Sequence, residues 1–165
     1  MSKQSNSTTN TSTDNTNNAN NNSSNNTQGS NSNGSGNKGG KSRGRWGNQA
    51  TRALNKEVAD ILTDNGYEVT GGGTYKPEEY LPGPNGARKG SNYVDVTVQS
   101  EDGSVTYRIN TVDTYADGTT PTTRESTAAA SINAKTPGEP DIILIPKGST
   151  TAQIIEILRG AGLIP

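Results

Sequence analysis

Four consecutive aliphatic residues, Ile142-Ile143-Leu144-Ile145, stand between Asp141 and Pro146. A run this short and uniformly apolar, closed by proline, reads as a β-strand. Its side chains alternate between two faces, so both faces must be covered. That predicts a sheet with helices on either side, in which this strand is interior and parallel to a neighbour. The flanking sequence agrees. Ile154, Ile155, Ile157 and Leu158 predict a helix from about Thr150 to Arg159, stopped by Gly160 and Gly162. Ahead of the run, Thr120-Pro121 reads as N-cap and first residue of another helix. That helix presents Ala128, Ala129 and Ile132 to the core and ends at Pro137-Gly138.

Earlier segments supply the rest of the sheet. Tyr93 to Val98 alternates, with Val94, Val96 and Val98 on one face and Tyr93, Asp95 and Thr97 on the other. Asp102-Gly103 marks a hairpin, and Val105, Tyr107 and Ile109 line the core face of the returning strand. Tyr67-Glu68-Val69 predicts a first short strand, ended by Gly71-Gly72-Gly73. A first helix is expected from about Gly47 to Thr63, on the spacing of Ala50, Ala53, Leu54, Val58, Ile61 and Leu62. The order of elements predicts an α/β fold: a mixed sheet flanked by helices.

Apolar residues make up only 26% of the 165 residues, a level that would signal disorder if it were uniform. It is not uniform. Residues 1–40 are almost wholly Asn, Ser, Thr and Gly, with too little apolar surface to offset chain entropy. They are expected to form a disordered linker or solubilising tail, which leaves 41–165 as one domain. Met1-Ser2-Lys3 opens into polar sequence, and no apolar run approaches the roughly 18 residues of a membrane span. A soluble protein without a secretory signal or membrane partner is expected.

The chain contains neither cysteine nor histidine. Disulfide frameworks, thiolate metal sites, Ser-His-Asp triads, HNH-type nucleases and histidine-ligated zinc are therefore excluded. Any catalysis must rest on carboxylates, Lys, Arg, Tyr, Ser or Thr, with a hard, oxygen-bound cation such as Mg²⁺. Candidate acids are Glu57, Asp95, Asp113 and Glu125; candidate cations beside them are Lys89, Arg108, Arg124 and Lys147. Glu57 falls inside the apolar stripe of the first helix, so it is either a flank residue reaching solvent or a carboxylate aimed at the sheet. Asp95 and Asp113 stand at strand ends, and either Asn110 or Asp113 is expected near Asp95 across the twisted strand pair.

Two basic segments complete the inventory. Lys41, Arg43 and Arg45 surround the only tryptophan, Trp46, without an intervening acid. Such a segment suits nucleic-acid backbone contact with base stacking, or else forms a solvated approach to the domain with the indole over the core edge. Arg88 and Lys89 end a Pro/Gly-rich loop, either as plain solvation or as a phosphate contact.

At GSNYVDVTV, TYRINTVDT, TPTTRE and DIILIPK the chain resembles restriction-endonuclease-fold toxin domains, found at the C-termini of bacterial polymorphic toxins such as Rhs proteins. The likeness spans about residues 47–148, including the loop LPGPNGARKG, with its motifs in the expected order. Members belong to the PD-(D/E)xK nuclease class: a helix supplies an acid, and a strand pair bears an Asp and the (D/E)xK. The resemblance implies a restriction-endonuclease-like core with a mixed four-stranded sheet, and hydrolysis of DNA more than RNA with Mg²⁺ or Mn²⁺. Glu57 would be the helix acid and Asp95 the metal-binding Asp. The chain departs from the pattern at Arg108-Ile109-Asn110, where no (D/E)xK stands. Asn110 or Asp113 would replace its acid, and Arg124 or Lys147 its lysine. A toxin implies an immunity protein as partner and, through export without a signal peptide, action in a target-cell cytoplasm. The alternative is a catalytically inactive nucleic-acid-binding or assembly module on the same fold.

Overall fold

The computed structural model describes residues 48–165. The tail 1–40 and the basic residues Lys41, Arg43, Arg45 and Trp46 lie outside the described residues. Helix α1 (Gln49–Asp64) begins at Asn48, whose side chain accepts from the Thr51 amide at 2.9 Å. Its buried face is Leu54, Asn55, Val58, Ala59 and Leu62. Ala50 and Ala53, expected on that face, are exposed. The branched residues at 54, 58 and 62 set the helix's rotation, because a methyl group buries too little surface to compete. The rotation carries Asn55 inward.

Strands β1 (Glu68–Gly72), β4 (Val96–Gln99), β5 (Thr106–Val112) and β6 (Ile143–Pro146) form a four-stranded sheet in the order β1-β4-β5-β6. β1–β4 and β4–β5 are antiparallel and β5–β6 is parallel, so the sheet is mixed. Strands β2 (Glu79–Leu81) and β3 (Asn92–Val94), joined by the loop 82–91, form a separate antiparallel ribbon. Helix α3 (Thr151–Gly160), opened by a Thr150–Gln153 capping box, packs with α1 on one face. There Leu54, Val58, Leu62, Val96, Val98, Ile109, Ile145, Ile154 and Leu158 make the main core. Helix α2 (Thr123–Lys135) covers the other face, where Ile132 meets Val94 and Ile142.

The parallel pairing and two-sided burial of the Ile142–Ile145 run agree with the expectation: Ile143 and Ile145 join the main core, Ile142 and Leu144 the smaller cluster. Its position does not. Among the described residues, β6 pairs only with β5 and stands at the edge of the sheet. An apolar run reports helices above and below a strand, and says nothing of hydrogen-bonded neighbours to its sides.

Helix α2 is capped by Thr122, whose hydroxyl accepts from the Glu125 amide, and not by Thr120. Asp117 takes the Thr119 and Thr120 amides at 3.0 and 2.9 Å, and Pro121 bridges to Thr114. This local Asx turn competes with the helix and delays its start.

The expected alternation of valines breaks at Asp95. Val96 and Val98 face the main core, while Val94 faces α2. The chain bends at Asp95 as it leaves the ribbon for the four-stranded sheet, so one side chain changes face. Gly72 and Gly73 make room for the bend. Gly73 N–H donates to the Asp95 carbonyl at 2.9 Å, and a Cβ on Gly72 (φ +64°) would lie 1.8 Å from that oxygen. These glycines therefore belong to or adjoin β1, which runs past its expected end at Val69.

Arg108 lies on the α2 face and is buried. Its Nε and Nη2 donate to the two Glu79 carboxylate oxygens, each at 2.8 Å, and Nη1 pairs with Glu139. Thr97 donates to Glu79 at 2.8 Å. Burial works against the guanidinium's charge, and the two carboxylates more than offset it. The bidentate pair ties the β2–β3 ribbon to the main sheet.

Candidate active site

A cleft of 670 Å³ opens where the bend at Asp95 meets the first turns of α1. Arg52 and Asn55 reach it from α1; Gly72, Gly73, Lys76 and Glu78 from the end of β1 and the following loop; Thr111 from β5; Arg124 from α2; and Lys147 from just beyond β6. Sequence-distant segments thus converge on one carboxylate.

Asp95 is held from several sides. Its Oδ2 accepts from the Thr111 amide at 2.8 Å and the Thr111 hydroxyl at 2.9 Å. Its own amide donates to Asn110 Oδ1 at 2.9 Å. Burial pushes its carboxyl above the usual Asp range, and the Thr111 donors, the charge of Lys147 and the Asn55 amide only partly oppose this. Glu78 is also raised, by burial and by the negative charge of Asp95. Two carboxylates therefore share one cleft under partial desolvation, and the charge of Asp95 opposes the ionisation of Glu78. Among the described residues, Asn55 Oδ1 is buried with no hydrogen-bond partner. An orphaned buried acceptor beside two strained carboxylates is an oxygen-rich recess of negative potential.

The rim has the opposite sign. Arg52, Lys76, Arg124 and Lys147 line the cleft against Glu78 and Asp95, an excess of positive charge in a chain whose net charge is −1. Among the described residues, neither the Arg52 nor the Arg124 guanidinium has an ion-pair partner.

Of the residues singled out in the sequence, Asp95 and Arg124 line this cleft, and so does Lys147. Asn110 adjoins Asp95, but its side chain is occupied with the backbone of Asp95 and, at 3.5 Å, of Tyr93. Asp113 is exposed and pairs with Lys147 at 3.1 Å, outside the cleft lining. Glu57 is not brought to Asp95. It hydrogen-bonds the Thr151 hydroxyl at the start of α3, because the rotation that buries Asn55 turns Glu57 toward that helix. Glu125 sits in the first turn of α2 and does not line the cleft. Arg88 and Lys89 are exposed beyond the Pro84–Gly86 turn and do not line it either.

Sequence reasoning passed over Asn55, Glu78, Thr111 and Lys76; Arg52 stood out only as the last cation of the basic segment around Trp46. Asn55 carried a signal: it stands one after Leu54 and three before Val58, where an apolar residue would be ordinary. The Gly71-Gly72-Gly73 run carried another, since consecutive glycines in a strand mark close backbone approach. Glu78 and Lys76 carried none.

No protein-family model, curated protein or solved structure matches the chain. Among the described residues, no helix is long and apolar enough to cross a membrane, and no cluster of three or more Asp or Glu forms a metal-ligand set.

Proposed function

We propose that the chain is a metal-dependent nuclease with a restriction-endonuclease-like core, acting as a bacterial toxin or related effector. The observation that carries the reading is a cleft that holds two carboxylates, Asp95 and Glu78, within a rim of Arg52, Lys76, Arg124 and Lys147; burial raises both carboxyls, and the charge of Asp95 raises Glu78 further. Carboxylates held part-desolvated in one cleft suit a divalent cation, and a cationic rim suits a polyanion. The mixed four-stranded sheet flanked by helices supports the restriction-endonuclease-like core that the resemblance implies.

The donor set fits a hard cation. Asp95 and Glu78 offer anionic oxygens, and Asn55 Oδ1 offers a neutral buried one in want of a partner. Asn55 thus stands where a helix acid was expected of Glu57. When bound, Mg²⁺ or Mn²⁺ would lower the pKa of a water and screen the phosphate's charge. Thr111, through two hydrogen bonds, fixes the orientation of Asp95. Arg124 and Lys147 hold the phosphate and oppose the charge that builds on it in the transition state. Lys147 takes the place of the missing (D/E)xK lysine, reaching the same carboxylate from β6 instead of β5. An immunity protein in the producing cell would act by covering this cleft.

The test is cleavage of single-stranded DNA, plasmid DNA and total RNA by the purified chain, with Mg²⁺ or Mn²⁺, with EDTA, and with Asp95→Asn. Metal-dependent cutting that disappears in the variant is expected, on DNA more than RNA. A second reading, a binding module without catalysis, is favoured by the Arg108-Ile109-Asn110 departure, since Arg108 is engaged with Glu79 and Glu139 on the opposite face. Salt-sensitive binding with no cutting under any metal would select it.

A further inference from the structure

We infer that the cleft takes unpaired nucleic acid, with the Tyr80–Tyr93 pair as the stacking platform for a base beside the phosphate held at Asp95. This rests on the nuclease reading and deepens it. The β2–β3 ribbon has two unlike faces. Inward, Glu79 binds Arg108 and Thr97, while Leu81 and Val94 pack with Ile132. Outward, Tyr80 and Tyr93 are register partners, their rings 5.1 Å apart and inclined at 50°.

Both residues are open to solvent, Tyr80 41% and Tyr93 48% exposed. Every exposed large hydrophobic among the described residues is a tyrosine: Tyr75, Tyr80, Tyr93 and Tyr115. Tyr75 and Tyr93 line the cleft itself. Tyr93 stands two residues before Asp95, about 7 Å along the strand, within reach of a neighbouring nucleotide. The arrangement is an aromatic surface continuous with a cation-rimmed recess that holds the candidate catalytic acid.

A cross-strand aromatic pair can also serve the ribbon alone. This ribbon is already anchored from its other face by the Arg108–Glu79 pair and by Val94, so the outward rings are not needed to hold it. Ring faces select between polymers. In a duplex the base faces are stacked within the helix and only their edges reach a protein through the grooves. An unpaired strand, DNA or RNA, presents its base faces, and stacking on a tyrosine there is tolerant of sequence.

The experiment is fluorescence anisotropy with the full chain in EDTA, so that no probe is cut. The probes are labelled mixed-sequence 15-mer DNA and RNA strands and the corresponding duplexes. Wild type, Tyr93→Phe, Tyr93→Leu and Tyr80→Leu are compared. Leucine keeps apolar bulk on the ribbon and removes the ring, and thermal melting confirms that each variant is folded. Single strands are expected to bind at least about tenfold more tightly than duplexes, with phenylalanine neutral and leucine costing about tenfold for single strands only. Equal or tighter duplex binding, or wild-type affinity in Tyr93→Leu, overturns the inference. Cleavage of the same probes with Mg²⁺ is run in parallel and separates the two claims. Cutting without strand preference overturns the platform and leaves the nuclease. Ring-dependent binding of single strands without any cutting upholds the platform and overturns the nuclease.

Discussion

Replacing Asp95 by asparagine keeps the shape of the side chain and removes its charge. An amide oxygen still accepts from the Thr111 amide and hydroxyl, the contacts that measure 2.8 and 2.9 Å. The new amide nitrogen meets the Asn55 amide that donates to Asp95, so Asn55 must turn its unpaired Oδ1 toward it, and the repulsion that raises Glu78 disappears. Asp95→Asn is therefore expected to stabilise the fold by about 0.5–2 kcal/mol, as relief of functional-site strain commonly does. Asp95→Ala orphans both Thr111 donors, each costing about 1–3 kcal/mol when buried, partly offset by removal of the charge. A net loss of about 1–3 kcal/mol is expected for alanine. At about 4 °C per kcal/mol for a domain of this size, the two variants straddle the wild-type Tm in calorimetry or thermal circular dichroism. The pH dependence has a defined sign. Asp95 is raised in the folded state, so its proton linkage favours folding below the unfolded pKa, about 3.9, and that contribution is lost as pH rises through the folded value. The advantage of Asp95→Asn should accordingly be full at pH 7 and shrink toward pH 4. If asparagine destabilises as much as alanine at pH 7, the carboxylate is a structural hydrogen-bonding group, and the argument from strain to function fails.

Further expectations follow from named contacts. Glu79→Ala leaves the buried Arg108 with only Glu139 and frees the Thr97 hydroxyl; because Glu79 is 26% exposed, a loss of about 2–3 kcal/mol is expected, below the full range for buried pairs, read from urea denaturation. Gly72→Ala puts a methyl group into the Asp95 carbonyl at a positive φ, and should cost about 3 kcal/mol or more or prevent soluble expression; a wild-type Tm would contradict the close approach. Lys147→Met breaks an exposed pair with Asp113 and should change stability by less than about 1 kcal/mol, while lowering kcat for cleavage about a hundredfold or more. Glu57→Gln should leave cleavage at the wild-type rate, since Glu57 binds Thr151 outside the cleft; loss of metal-dependent cutting would return it to the site.

Local physical chemistry made much of the fold legible. Periodicity in 49–64, the hairpin at Asp102-Gly103 and the apolar run at 142–145 each depend on neighbours in the chain, and they yielded helices, strands and a mixed sheet covered on both faces. Asp95 was legible for a related reason, as an acid on the polar face of a strand whose other face is valine. The other site residues were not. Asn55 turns inward because three branched side chains decide the rotation of α1, and the two alanines that suggested a different face bury too little to resist. Asp95 reaches Thr111 because the chain bends between two sheets, and only the packing of Gly72 and Gly73 against its backbone permits that bend. Lys147 and Glu78 meet it from segments far away in the chain. The sequence by itself determined most of the elements, though not the Glu79–Leu81 strand or its ribbon with Asn92–Val94, and the pool of chemistry: carboxylates, cations and tyrosines, with no thiol and no imidazole. Which of them share a cleft was decided by the tertiary structure, because helix rotation, strand order and a bend between sheets depend on long-range packing that no local pattern encodes.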